Sequence, residues 1–268
     1  MAGVIFKSFA LAGFASAVLL GCSPDQTTTP AELAEKPDAS DRAIDAALAS
    51  RQRPVEDRSD DDLRKPESVL SFIGIEPGMT IFEMEAGRGY YTELFSRLVG
   101  PDGQVIMQNP AAFDSFLGEV VEKRLANNRL TNVRVSKSPF DDLDAEDASV
   151  DIVTWILGPH DLYFTPNGGT SLGDPVETFA EIKRILKPGG TFVVIDHRAA
   201  VGSPPTTGGT VHRIDPAIVL NLATEQSFDF VGESDVLHNS DDDYNMNVFD
   251  ASVRRKTDRF ILKFRKPE

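Results

Sequence analysis

The sequence predicts an α/β fold on a mostly parallel, doubly wound sheet with an antiparallel hairpin at its C-terminal end. Three observations predict it. From residue 66 onward, short apolar runs alternate with helical patterns, and such alternation places helices on both faces of a parallel sheet. One strand pattern runs straight into a glycine turn and a helix start, Ile81–Phe82–Glu83–Met84–Glu85–Ala86–Gly87–Arg88–Gly89–Tyr90–Tyr91. The last two strand patterns have no long helix between them.

The 268 residues suffice for one large domain with appendages. The net charge of −15 argues against a nucleic-acid partner, because phosphate binding needs clustered Lys and Arg. The single cysteine, Cys22, excludes an intramolecular disulfide and a Cys-rich metal site. It follows an apolar run of thirteen residues, Ser8 to Leu20, with Lys7 in front. That run is too short to span a bilayer and fits a signal-peptide core. The end of the run, Leu19–Leu20–Gly21–Cys22, resembles a bacterial lipobox. The resemblance implies removal of residues 1–21 and lipidation of Cys22. Ser23 at the next position favours the outer membrane, facing the periplasm, by likeness to bacterial sorting signals. Residues 22–40 hold Pro24, Pro30, Pro37 and three consecutive threonines, and read as a flexible tether.

Residues 41–65 read as a helical extension, with Asp41 as its cap and a polar, Arg- and Asp-rich end. The main domain is expected over 66–268. It opens on a helix at Pro66, and Pro77–Gly78 turns into the first strand, about 79–84. A helix follows over 91–99 and a strand over 104–108. One continuous helix is expected over 112–127. Strands are expected over 132–137 and 150–157, and a helix over 176–186. Lys187–Pro188–Gly189–Gly190 then turns into a strand over 191–196. Asp215 caps a helix to about Gln226. Strands lie within 228–237 and 258–266, joined through an acidic loop at 241–243.

The tract Glu83–Met84–Glu85–Ala86–Gly87–Arg88–Gly89, an acid followed by spaced glycines, and the Lys187–Pro188–Gly189–Gly190 turn carry a resemblance. The chain resembles class I S-adenosylmethionine-dependent methyltransferases, which implies a Rossmann-like fold and S-adenosylmethionine as cofactor. Within that superfamily it is similar to a bacterial group of lipoprotein-like predicted methyltransferases, through Gly158 to Tyr163, Asp196–His197–Arg198, His212 to Asp215 and Thr257 to Phe260. The resemblance implies cofactor contacts from Glu83, Glu85, Gly87, Gly89, Tyr90, Asn109 and Asp141. Two of these depart from the family pattern: Glu85 stands where the first glycine is usual, and Asn109 stands where an acid grips the ribose. An amide keeps hydrogen bonding but loses the bidentate charged grip.

Methyl transfer is an in-line displacement that needs alignment, and a base only where the nucleophile must lose a proton. Candidates belong at the C-terminal ends of the strands. His160 and Asp161 follow the fourth strand and form the leading pair, with His197 at the end of the fifth as an alternative base. Arg198, His212 and Arg213 are candidate substrate contacts, and His238 reads as surface. No His-x-x-x-His or similar spacing occurs, so no metal site is predicted. Convergence of His160, His197 and Asp161 would be needed to make one. No Gly-x-Ser-x-Gly elbow points to a serine hydrolase.

The function expected is therefore methyl transfer to an unidentified small molecule. An export signal conflicts with a cofactor made in the cytoplasm. The alternative is a non-catalytic envelope lipoprotein that binds a small ligand in the same cleft.

Overall fold

The computed structural model describes residues 38–268. The signal peptide, Cys22 and nearly all of the tether lie outside the described residues. Seven strands form one sheet: β1 (Thr80–Met84), β2 (Gln104–Gln108), β3 (Val133–Ser136), β4 (Val150–Ile156), β5 (Leu186–His197), β6 (Asp229–Ser234) and β7 (Arg259–Arg265). Their order is β3-β2-β1-β4-β5-β7-β6. The first five pair in parallel, and β7 is antiparallel to both β5 and β6. The expected C-terminal antiparallel pair is present, but residues 235–258 separate its strands and β7 inserts inside β6. Strand order reverses beside β1, with β2 on one side and β4 on the other. Such a switch point opens a crevice at the C-terminal strand ends.

Alternation along the strands divides the core between the two sheet faces. Phe82, Met84, Val153, Trp155, Phe192 and Val194 pack on one face. Ile81, Val105, Ile152, Val193 and Ile195 pack on the other, with Leu94 and Phe95 from a helix. Each fully buried large side chain contributes roughly 1.5–3 kcal/mol.

The first helix, α1 (Ala39–Ala49), starts earlier than expected. Its cap is Asp38, whose carboxylate accepts the Asp41 N–H at 2.9 Å. Two short helices, α2 (Val55–Arg58) and α3 (Asp61–Arg64), cover the polar stretch. Then come α4 (Pro66–Ile73), with proline in its first turn, and α5 (Tyr90–Val99). The single helix expected over 112–127 is broken into α6 (Asp114–Leu117) and α7 (Val120–Leu125) with 3₁₀ turns at either end. Gly118, at φ 54°, ends α6 in a conformation that helix cannot continue. Helix α8 (Pro175–Ile185) is capped by Asp174. Strand β5 runs through Lys187–Pro188–Gly189–Gly190, where its register against β4 shifts. Last are α9 (Thr207–Val211) and α10 (Pro216–Glu225), the latter capped by Asp215, which accepts from the Ala217 N–H at 3.0 Å. Among the described residues no helix is long and apolar enough to cross a membrane.

Candidate functional site

The glycine turn sits at the end of β1, and its backbone is left-handed at Glu85 (φ 49°), Gly87 (57°) and Gly89 (81°). Glycine takes such angles without strain, whereas a glutamate does not. Side chains from the end of β2 hold the turn. Gln108 accepts the Glu85 N–H at 2.7 Å and donates to the Ser138 carbonyl at 2.7 Å. Asn109 accepts the Gly87 N–H at 2.8 Å and donates to the Gly87 carbonyl at 3.2 Å. The amide at the ribose position is thus turned onto the loop backbone.

Glu83 is buried beneath the turn and accepts a hydrogen bond from Thr92 on α5. Burial pushes its carboxyl up to about 8, against the opposing pull of that hydrogen bond and of Arg124 and Arg64. Tyr90 faces the N-terminal extension: its hydroxyl donates to Asp61 at 2.6 Å, and the Arg64 guanidinium lies 4.5 Å from its ring centroid. Asp141 is tied elsewhere, accepting the Asp174 N–H at 2.8 Å where α8 begins. A cavity of 230 Å³ opens at the turn, walled by Glu83, Glu85, Gly87 and Tyr90 and by the apolar faces of Phe113 and Phe116. A Cβ built on Gly87 would meet nothing within 4 Å, so this backbone faces open space.

A second group lies at the ends of β4 and β5. The 3₁₀ turn Pro159–Tyr163 carries His160 and Asp161, β5 ends in Asp196 and His197, and His212 follows α9 at φ 56°. Asp196, fully buried, accepts the N–H groups of His160 (2.8 Å) and His197 (2.7 Å) and bonds His160 Nδ1 at 2.8 Å. Burial alone would lower the His160 pKa. The charge and hydrogen bond of Asp196, with help from Asp161, overcome this and raise it.

Asp161 Oδ1 lies 3.4 Å from His160 Nε2 and 3.5 Å from His212 Nδ1. Both distances exceed a normal hydrogen bond, and the buried oxygen has no hydrogen-bond partner. Glu85 joins this group from the glycine turn. Its Oε2 accepts from Trp155 Nε1 at 3.0 Å. Burial, then the nearby Asp161 carboxylate, hold the Glu85 carboxyl well above the usual range. For Asp161, burial acts upward, but His212, His160 and the neighbouring Glu85 carboxyl hold it below the usual range. The two buried carboxyls are thus driven apart in acidity, Glu85 upward and Asp161 downward.

His197 differs from His160. Its Nδ1 bonds Thr257 Oγ1 at 2.7 Å, and its ring helps to line a cavity of 350 Å³. Burial, then the positive charges of His160, Arg259, Arg213 and His212, keep it well below the ordinary histidine value. It is a neutral imidazole at neutral pH. Arg64, Arg88, Arg254, Arg255 and Arg259 line the same cavity, with Asp60 as its only carboxylate. The apolar part of this wall includes Phe116, Leu157 and Phe249, and Phe116 and Leu157 also wall the glycine-turn cavity.

The structure therefore brings His160, Asp161, His197, His212 and Glu85 together, and corrects two expected substrate contacts. Arg213 is fully buried and bidentate to Asp242 at 2.8 and 3.0 Å. Arg198 pairs with Asp258 at 3.1 Å. Both bind the acidic 235–258 excursion to the sheet. The predicted lack of a metal-ligating arrangement is also revised: a histidine–carboxylate set does converge, and its third member is His212 instead of His197. His238 is half-exposed, 3.0 Å from Asp258. Sequence reasoning missed the anchoring role of Asp196, although the Asp196–His197–Arg198 tract had drawn attention. It also missed the arginine wall, which joins Arg64 and Arg88 to Arg254, Arg255 and Arg259 across more than 160 residues.

The strand order and the glycine turn define the class I methyltransferase architecture. A methyltransferase domain family matches residues 75–213, and the chain belongs to that family. A ubiquinone/menaquinone biosynthesis C-methyltransferase of Teredinibacter turnerae is 28% identical over 128 residues, 48% of this chain and 47% of that protein. The Salmonella arizonae counterpart is 25% identical over 186 residues, 68% of this chain and 69% of that protein. The chain spans about half the length of most of these curated relatives. Among solved structures, a SAM-dependent methyltransferase from Aquifex aeolicus superposes with a TM-score of 0.56 at 20% identity, covering 77% of this chain and 92% of the other. Geranyl diphosphate C-methyltransferase from Streptomyces coelicolor A3(2), solved with Mg2+, geranyl diphosphate and S-adenosyl-L-homocysteine, gives 0.56 at 16% identity, covering 82% and 89%. At these identities the likeness is one of fold.

Proposed function

We propose that the chain is an S-adenosylmethionine-dependent methyltransferase acting on a small anionic molecule. The observation that carries the cofactor is the open backbone at Gly87, at the switch point of the sheet, with a carboxyl floor and apolar walls. The residues fit the group. The turn backbone admits an amino-acid tail, Phe113 and Phe116 offer faces for a flat base, and acidic neighbours suit a sulfonium. When bound, the cofactor supplies an electrophilic methyl group.

The acceptor enters the arginine-lined cavity, which adjoins the first through Phe116 and Leu157. Five guanidiniums against one carboxylate, in a chain of net charge −15, select for anions. His197, neutral and lining that cavity, is the group placed to take a proton from the acceptor. His160 is buried behind it, with both ring nitrogens facing carboxylates.

Calorimetric titration with S-adenosylmethionine and S-adenosylhomocysteine tests the cofactor; no heat at millimolar ligand refutes it. Gly87→Val should abolish binding, because its side chain fills the turn. The second reading, a non-catalytic envelope protein that binds a small ligand, is favoured by one observation: Asn109 faces the loop backbone and leaves the ribose position without a free acceptor. Binding of S-adenosylhomocysteine without turnover of any anionic acceptor would favour it.

We further propose the segment organisation read from the sequence: a signal peptide over 1–21, a lipidated Cys22 and tether to residue 40, a helical extension over 41–65 and the catalytic domain over 66–268. The supports are the thirteen-residue apolar run and the position of the only cysteine. On this reading the protein belongs to the lipoprotein-like group and is held by its lipid on the periplasmic face of the outer membrane. Palmitate labelling that persists in Cys22→Ser would refute the anchor.

A further inference from the structure

We propose that His160 Nε2, Asp161 Oδ1 and His212 Nδ1 form a binding site for one divalent first-row metal ion, of the zinc type, at the inner end of the candidate substrate side. One ligand atom from each of the three residues lies within 4.8 Å of the others. Asp161 Oδ1 stands 3.4 Å from the first nitrogen and 3.5 Å from the second. Those separations are too long for good hydrogen bonds. They equal the spacing between ligands of a tetrahedral ion with bonds of about 2.1 Å, which is about 3.4 Å.

Three further observations support the assignment. Asp161 is only 7% exposed, and Oδ1 has no hydrogen-bond partner, which is costly for a buried carboxylate oxygen unless a cation faces it. His160 Nδ1 is held at 2.8 Å by buried Asp196, whose other oxygen takes the His160 N–H. A carboxylate behind the non-ligating nitrogen is the arrangement that orients a metal-bound imidazole. His212 takes a left-handed backbone (φ 56°), unusual for a histidine, and its ring is fixed between Phe164 and Phe249, both 4.9 Å away. The strained turn aims that ring at Asp161.

The donor set, two imidazoles and a carboxylate, suits zinc, iron or cobalt better than magnesium or calcium. Three protein ligands leave a fourth position open to water or to an oxygen of the acceptor. The site also links the 3₁₀ turn after β4 to the turn after α9, so an ion there pins the two segments together. The inference rests on this cluster alone and is read without the methyl donor, so it stands or falls separately from the proposed activity.

The test uses the full-length, untagged chain, stripped with chelator and dialysed against micromolar Zn2+. Elemental analysis should find about one zinc per chain, and Co2+ in its place should give a visible absorption band of a four-coordinate site. Zinc should also raise the Tm. Asp161→Asn and His212→Asn should each lower the zinc content at least tenfold, the latter with a side chain that tolerates the left-handed backbone. His238→Ala, outside the cluster, should bind as wild type. Less than a tenth of an equivalent of zinc in the wild type overturns the proposal, as does unchanged stoichiometry in both cluster variants. If Asp161→Asn does not fold by circular dichroism, His212→Asn decides.

Discussion

The two ends of the crevice use polar groups in opposite ways. Around the glycine turn the side chains satisfy one another and the backbone: Asn109 closes on Gly87, Gln108 on Glu85 and Ser138, Tyr90 on Asp61. What remains open there is backbone. Beyond β4 and β5 many polar groups are also paired, but two buried atoms, Asp161 Oδ1 and Arg259 Nε, have no partner. The first region is thus a rigid cradle for a fixed ligand. The second holds unfulfilled donors and acceptors that a substrate or ion can complete. Buried groups without partners are destabilising, so the contrast supports the proposed recognition on the β4–β5 side.

Removing Asp196 should have the largest effect, because it deletes a fully buried carboxylate with bonds to His160 and His197. Asp196→Ala should lose about 3–5 kcal/mol in urea unfolding. A loss below 1 kcal/mol would show that the histidines do not depend on it.

Next is the buried acid of the cradle. Glu83 has its folded-state pKa raised from 4.5 to about 8. The folded state therefore holds a proton that the unfolded state releases. The resulting stability is fully present below about pH 4.5 and is lost as pH climbs through 8. Between pH 6 and 8 the loss should be roughly 2 kcal/mol. Glu83→Gln mimics the protonated carboxyl and should flatten that slope in Tm measured from pH 6 to 9. An identical slope in the variant would assign the effect elsewhere.

A smaller change separates cradle from recognition. Asn109→Ala removes two hydrogen bonds to Gly87, worth about 2 kcal/mol together, and should weaken S-adenosylhomocysteine at least tenfold by loosening the turn. Unchanged affinity would break the contrast, since the turn would then need no brace. The smallest effect belongs to Tyr90→Phe, which should lose about 1 kcal/mol through Asp61 and alter ligand affinity less than threefold. A larger affinity loss would mean that the Tyr90 hydroxyl serves the ligand.

Much of this architecture was legible in the sequence. Apolar runs such as Ile81–Phe82 and the Pro66 and Asp215 helix starts are local signals, because period and capping depend on neighbours along the chain. The break at Gly118 was missed because a lone glycine inside an apolar pattern does not announce its φ. In the site, His160, Asp161 and His197 stood out because they follow strand ends. Arg198 and Arg213 were misjudged, since only the folded 235–258 excursion supplies Asp258 and Asp242 to pair them.

The sequence by itself determined the layered α/β plan, the glycine turn and the strand ends that face the crevice, because these depend on spacing over a few residues. Only the tertiary structure decided what each polar group faces. It turned Asn109 inward onto Gly87, set Glu85 against Asp161, gathered arginines from positions 64, 88, 254, 255 and 259 around one cavity, and brought His212 to His160. Those partners lie tens to nearly two hundred residues apart. Burial and charge act through space, so the chain order alone holds no record of them.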